Sequence, residues 1–306
     1  MGELEGKLKK VQDLLKRFED DLDKSDIREQ VIQLIPIIDT FRNLGKAVIP
    51  EGLHISARDR ILRYFLLYPQ QIINERELAV VGGISEWARR VRELRVQFGW
   101  QIFSGLTAQS MIQEEDIDTQ NSLLNMMGTN DYILLDEKQD KKAAYRWNVA
   151  NEIRKSNTSM RDKIIAYLRK NVAEEVTGEE LRYVAKGSEW ARRVRELRVE
   201  QGWPITTLYS GNPTLPVGVY VLEADRQAPM HDRQIPEAIR RKVLRRDNYT
   251  CNKCGWSYKL WNPSDPRFLE VHHILGYAKG GKSEEDNLIT YCNVCHDLVH
   301  KLDKKS

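Results

Sequence analysis

The chain has 306 residues, 41% of them hydrophobic and 30% charged, with a formal net charge of +3. That balance belongs to a globular protein long enough for two or three small domains rather than one large core. No apolar run approaches the roughly eighteen residues a membrane span needs, and Met1-Gly-Glu-Leu-Glu opens a charged helix rather than a signal peptide, so a soluble, cytoplasmic protein with no membrane partner is expected.

Residues 4, 8, 11, 15, 18 and 22 are Leu, Leu, Val, Leu, Phe and Leu, the alternating spacing of a coiled-coil seam. Ser25 and Asp26 interrupt it. Asp26-x-x-Glu29 has the form of a capping box and starts a second helix with Ile27, Val31, Leu34, Ile38 and Phe41 on one face and a kink at Pro36. Residues 1–56 therefore form a helical region with two open uses: dimerisation through the seam, or a hairpin packed on its own chain. Three heptads alone are marginal for the first.

An internal repeat follows, residues 57 to 102 aligning without a gap onto 160 to 205. Ser85-Glu-Trp-Ala-Arg-Arg-Val-Arg-Glu-Leu-Arg-Val96 recurs letter for letter as Ser188 to Val199, and each copy is followed by Gly-Trp. The flanks match only in pattern, with Ile61, Leu62, Tyr64 and Phe65 facing Ile164, Ile165, Tyr167 and Leu168. The second copy is expected to run as helices over 160–170, 178–184 and 188–199, then strands around 205–209 and 217–223. That order resembles a winged helix-turn-helix, a DNA-binding fold.

On a helical wheel Trp87, Val91, Leu94 and Phe98 share one face, and Ser85, Arg89, Arg92 and Val96 the opposite one, with Arg90 and Arg95 on the flanks. The first face is core. The second is what a recognition helix offers to a major groove, where arginine pairs bidentately with guanine. Ser85, Arg89, Arg90 and Arg92, with Ser188, Arg192, Arg193 and Arg195 in the second copy, are thus the candidate DNA-binding residues, against the alternative of a solvated face or simple phosphate contact. Another basic stripe, Arg240, Arg241, Lys242, Arg245 and Arg246, follows later.

The first copy carries a polar insertion, Thr107 to Asn130, expected as a mobile loop or enlarged wing. Winged repeats are placed at 57–140 and 159–226, joined by a linker helix in 141–158, and a last domain occupies 227–306. The fold class is mainly α with small sheets (α+β).

All four cysteines fall in two pairs, Cys251-x-x-Cys254 and Cys292-x-x-Cys295. Four thiolates at that spacing close a tetrahedral structural zinc site; a redox or disulfide pairing is the rival use, disfavoured because nothing suggests secretion. Between and after them lie His272, His273, His296 and His300, four of the chain's six histidines. His296 and His300 are one helical turn apart and share a face. A zinc held by four sulfurs has no open position, so the histidines build a second site with room for water and a phosphate oxygen.

At these residues, from about Gln234 onward and including the lead-in Ile235 to Asp247, the sequence resembles the HNH nuclease family, whose fold is a β-hairpin and a helix gripping one divalent metal. The resemblance makes His272, His296 and His300 the metal ligands, His273 the general base that deprotonates water, and Asn287 the residue that braces the loop and orients the base. It also implies Mg²⁺, Mn²⁺ or a similar catalytic ion, and products with 5′-phosphate and 3′-hydroxyl ends. Glu270 lies on the strand face of His272 and either approaches the metal or faces solvent.

These parts together read as a restriction-type endonuclease: tandem winged helices choose a site on double-stranded DNA, and the C-terminal domain cuts it. Dependence on base methylation is the nearest variant. A non-catalytic DNA-binding regulator keeping the zinc module as a scaffold is the rival from another class. One centre cuts one strand, so a homodimer is expected.

Overall fold

The protein is described here by a computed structural model covering residues 2–23, 26–114, 123–228, 235–262, 264–276 and 280–303. It divides into two compact units, Met1–Gly105 with Met127–Ala144, and Leu106–Met126 with Tyr145–Ser306. Both mix helices with small sheets.

In the first unit, α1 (Gly2–Asp21) and α2 (Ile27–Val48) fold back on each other around buried Val11 and Ile37. The Asp26 carboxylate accepts from the Glu29 amide at 2.9 Å and starts α2, as its spacing predicts. Of the two uses open to the seam, the intramolecular hairpin is formed. It does not consume the seam: Leu4, Leu8, Leu15 and Leu22 remain 39–48% exposed. On α2, Ile27, Val31, Ile35, Ile38 and Phe41 are likewise exposed. The far end of α2 is rooted in the first repeat at Gly45, where a Cβ would stand 2.5 Å from the Val80 carbonyl oxygen. Only glycine allows that approach.

The first repeat runs α3 (Ala57–Leu67), β1 (Ile73–Asn74), α4 (Glu75–Gly82), α5 (Trp87–Arg92) continuing as a π-helical turn over Glu93–Gln97, β2 (Ile102–Ser104) and β3 (Asp131–Leu134). Its sheet is antiparallel in the order β1-β3-β2, with Ile73 opposite Tyr132 and Phe103 opposite Ile133. Ile61, Phe65, Leu78, Val91, Leu94 and Ile102 fill the core. The buried Arg60 guanidinium donates to the carbonyls of Gly52, Ile55, Val81 and Gly82, satisfying four acceptors where the hairpin joins the repeat.

The second unit begins with α6 (Gly105–Gln113, from Leu106 on) and α7 (Ala143–Lys155, from Tyr145 on). The second repeat follows as α8 (Met160–Lys170), β4 (Val176–Thr177), α9 (Gly178–Ala185), α10 (Trp190–Val199), β5 (Ile205–Thr206) and β6 (Val219–Leu222), again antiparallel in the order β4-β6-β5. Asn74 with Glu77, and Thr177 with Glu180, form matching capping boxes in the two copies.

The insertion differs from expectation. Its start is α6, and Leu123–Met126 is a 3-10 turn; residues 115–122 lie outside the described chain. Thr107, Ala108 and Met111 are buried, a helical spacing hidden in a polar stretch. Their cover is the second repeat: a Cβ on Gly178 would lie 3.0 Å from Trp190 and 3.3 Å from Thr107. From the other side α7 delivers Arg146, buried, whose Nε pairs with Glu180 at 2.8 Å while the Tyr167 hydroxyl donates to the same oxygen at 2.9 Å.

The chain then enters α11 (Glu237–Arg246), β7 (Leu269–His273), β8 (Leu288–Cys292) and α12 (Asn293–Asp303). Glu237 ties this segment to the second repeat. It pairs with Arg198 of α10 at 3.0 Å and accepts from the Ser210 hydroxyl, with all three residues buried. Burial alone would raise its pKa, but the charges of Arg198, Arg240 and Arg241 and the Ser210 hydrogen bond hold it at about 2.

Candidate active site and nucleic-acid face

After α11 the backbone passes through Asn248 and Tyr249, both left-handed at φ 52° and 50°, and bends into the first cysteine pair. Gly255, at φ 72°, donates its amide to the Cys251 carbonyl at 2.9 Å and closes that turn. Cys292 ends β8 and Cys295 stands in the first turn of α12. All four Sγ atoms lie within 4.8 Å of one another, and those of Cys254 and Cys292 are 3.8 Å apart. A tetrahedral zinc with bonds of ~2.3 Å spaces its sulfurs about 3.8 Å apart, so the donor set fits that ion.

The thiols are unequal. Burial raises Cys251, but backbone amides outweigh it and bring it to about 7, whereas burial pushes Cys292 up to about 11. Four thiolates this close need a cation to ionise together.

The strand pair β7-β8 sets the histidines. His272 sits opposite Ile289 and His273 opposite Leu288, and strand alternation sends the two imidazoles to opposite faces. On one face His272 Nδ1 is 3.1 Å from His296 Nε2, which is 2.9 Å from His300 Nε2. Three imidazole nitrogens about 3 Å apart match the edges of a coordination polyhedron with metal–nitrogen bonds of ~2.1 Å. His272 and His296 are buried, His300 half-buried. These three therefore fit one divalent ion. Glu270 meets His296 Nδ1 at 2.6 Å, which leaves the opposite ring nitrogen for that ion. This contact with His296 is a third possibility beside the two weighed from sequence. Arg226 brackets the same carboxylate at 3.7 Å while pairing with Asp297 of α12 at 2.9 Å.

On the other face the buried His273 places Nε2 3.0 Å from the Ser283 hydroxyl. Asn287 accepts from the Leu275 amide at 2.9 Å and donates to the carbonyls of Leu275 at 3.1 Å and Lys282 at 2.9 Å, tying both sides of the loop between the strands. Gly281 fills the crossing, where a Cβ would collide with the Leu275 carbonyl. Asn287 thus ties down the loop that carries Ser283, whose hydroxyl meets His273. Sequence reasoning missed Ser283 and Arg226; a lone loop serine and a linker arginine carry no spacing signal.

The repeated helices place their arginines differently. Ser85, Arg89 and Arg92 are exposed, as are Ser188 and Arg192. Each copy folds two arginines onto its own glutamate: Arg89 and Arg90 onto Glu93 at 3.2 and 2.8 Å, Arg192 and Arg193 onto Glu196 at 3.2 and 2.7 Å. Arg195 is half-buried and paired with Glu114 at 2.8 Å. Its counterpart Arg92 has no ion-pair partner among the described residues.

Residues 251–302 match the HNH endonuclease family, and residues 58–125 and 161–223 match the KpnI N-terminal domain. The chain is also 29% identical over 58 residues to the type IV methyl-directed restriction enzyme EcoKMcrA of Escherichia coli (strain K12). That alignment covers 19% of this chain and 21% of the relative, so the chain spans about a fifth of the length of the enzyme it matches. No solved structure matches the chain. Among the described residues no helix is long and apolar enough to cross a membrane.

Proposed function

We propose that this chain, which carries an HNH endonuclease domain behind matches to the KpnI N-terminal domain, is a restriction-type endonuclease that cuts double-stranded DNA. The observation that carries the reading is the split of the histidine pair across β7. His272 joins His296 and His300 on one face, and His273 is held by Ser283 on the other.

His272, His296 and His300 would hold one Mg²⁺, Mn²⁺ or similar ion, which when bound offsets charge on the phosphate and on the departing 3′ oxygen. His273 takes the proton of the attacking water at its ring nitrogen, and Ser283 fixes the direction of that ring. Asn287 keeps the loop closed so that Ser283 stays in place, and Glu270 orients the ligand His296. Cys251, Cys254, Cys292 and Cys295 would hold a structural zinc that clamps the ends of β8 and α12 to the turn after α11. The products are 5′-phosphate and 3′-hydroxyl ends.

Each repeat is read as a winged helix-turn-helix, within 57–140 and 159–226, on the strength of three helices and a three-stranded antiparallel sheet in that order. A methylated target is the finer form of this reading, supported by the likeness to a methyl-directed enzyme. A homodimer supplies the second centre a double-strand cut requires, and the apolar stripes left open on α1 and α2 support a bundle between two hairpins.

The test is cleavage of methylated and unmethylated plasmid with Mg²⁺ or Mn²⁺. His273→Ala is expected to slow cleavage by ~10²- to 10⁴-fold while DNA binding persists. A chain lacking residues 1–24 is expected to nick rather than cut. Cleavage by His273→Ala at the parent rate would overturn the assignment of the base.

A further inference from the structure

The two copies of the repeated helix share twelve consecutive residues but not their surroundings. Ala88 is exposed, whereas Ala191, its equivalent, is 1% exposed. Trp87 is half-buried and Trp190 fully buried. The difference lies along one flank of the helix. In the second copy α6 runs beside the helix: its Thr107 and Met111 approach Gly178, which Trp190 also meets, and Glu114 just past its end pairs with Arg195.

The charges diverge in step. Arg198 is spent in a buried pair with Glu237 of α11, while Arg95, its equivalent, sits over the Tyr132 ring at 5.8 Å within its own repeat. An arginine already matched by a carboxylate offers a phosphate or a guanine edge little, because the approaching ligand must displace a partner of its own charge. Arg92 faces no such competitor among the described residues. It shares the exposed face with Ser85, Ala88 and Arg89, and small Ser85 and Ala88 leave room for a close approach to a groove.

Building on the DNA-cleaving function proposed above, we infer that the copies have divided the work. The first copy reads the duplex, with Arg92 as a specificity-determining contact. The second copy is a mount that fixes the nuclease segment through Arg198 and Glu237, and its Arg195 takes no part in recognition. The target is read chiefly from one side, by one helix per chain.

The experiment uses the full chain carrying His273→Ala, so that bound DNA survives, and a randomised duplex pool from which this protein selects its ligands. Arg92→Ala is expected to lose roughly ten- to a hundredfold in affinity for the selected duplex. Arg92→Lys is expected to keep binding to unselected duplex but lose most of the discrimination, since a lysine cannot make the bidentate contact. Arg195→Ala and Glu114→Gln are expected to bind the selected duplex as the parent does, with a lower melting temperature. Affinity lost in Arg195→Ala as much as in Arg92→Ala, at an unchanged melting temperature, would overturn the division of labour. So would stronger binding by Glu114→Gln, which would mark Arg195 as a reader held in check. Failure of the parent to capture any duplex at low salt would sink the DNA-binding reading itself and this inference with it.

Discussion

Tyr64 and Tyr167 occupy the same place in the two repeats, and each hydroxyl donates to the glutamate that closes a capping box, Glu77 or Glu180. Around the first the protein ends: Tyr64 is half-buried, and burial with its Glu77 contact moves its hydroxyl up to about 12. Around the second the protein continues, because α7 adds Arg146 to the pair and all three residues are buried. The same contrast runs through Ala88 and Ala191, and through Arg95 and Arg198. A repeated stretch therefore keeps its fold in both copies while its duties are set by what later segments lay against it. One copy retains its surface, and the other has been built into a larger core.

Stripping zinc should separate the copies most. A structural zinc is worth an apparent ~10 to 16 kcal/mol in small domains. Chelation, or Cys292→Ser, is expected to collapse β7, β8 and α12 and to loosen the second repeat through its Glu237 tie, while the first repeat keeps its protection. Hydrogen exchange read peptide by peptide checks this; equal loss of protection in β1-β3 and β4-β6 would erase the contrast.

The arginine pair comes next. Arg198→Ala removes the closest cation from the buried Glu237, leaving it Arg241 at 3.6 Å and the Ser210 hydroxyl, and is expected to cost ~1.5 to 3 kcal/mol, more than Arg95→Ala, whose guanidinium meets the Tyr132 ring within its own repeat. The pH dependence has a definite sign. Glu237 is held at about 2 against an ordinary 4.5, so its contribution is complete above pH 4.5 and is lost as the pH falls towards 2. The gap in melting temperature between the two variants is expected to narrow across that range, and a gap that stays constant would deny the pair its role.

The smallest effect should be the same in both copies. Asn74→Ala and Thr177→Ala each remove the N-cap of a capping box, Asn74 accepting from the Arg76 amide and Thr177 from the Glu180 amide, and each is expected to cost about 1 kcal/mol in chemical denaturation. A clear difference between them would show that even the shared local structure has drifted apart.

What the sequence could show follows from the range of the forces involved. The helices Met160–Lys170 and Gly178–Ala185 stand where local periodicity puts them, and α10 begins two residues after Ser188. The two-residue strands β1 and β4 left no trace, since two residues carry no alternation. α6 was hidden because its buried face is made by a repeat 70 or so residues further on, a partner that no local window contains. At the candidate site, the shared face of His296 and His300 was legible because the helix period fixes it, whereas the strand pair was expected only from the resemblance to the HNH family. The Ser283 contact with His273, the Glu270 contact with His296 and the Glu114 pair with Arg195 depend on side-chain direction and on distant segments, so no spacing announces them.

The position of α6 also bears on how such a gene can change. A deletion between the two identical stretches that joined residue 84 to residue 188 would excise everything between. The shortened product would still encode a complete-looking repeat followed by the segment that matches the HNH endonuclease family. It would lack α6, whose Thr107 and Met111 approach Gly178 beside Trp190, the Glu114 that pairs with Arg195, and the whole of α7 to α9. Trp190 would lie against a surface it has never packed on. A lineage that loses one copy in this way loses a folded second unit along with it, so the helix carried in the insertion turns a removable duplication into an inherited pair.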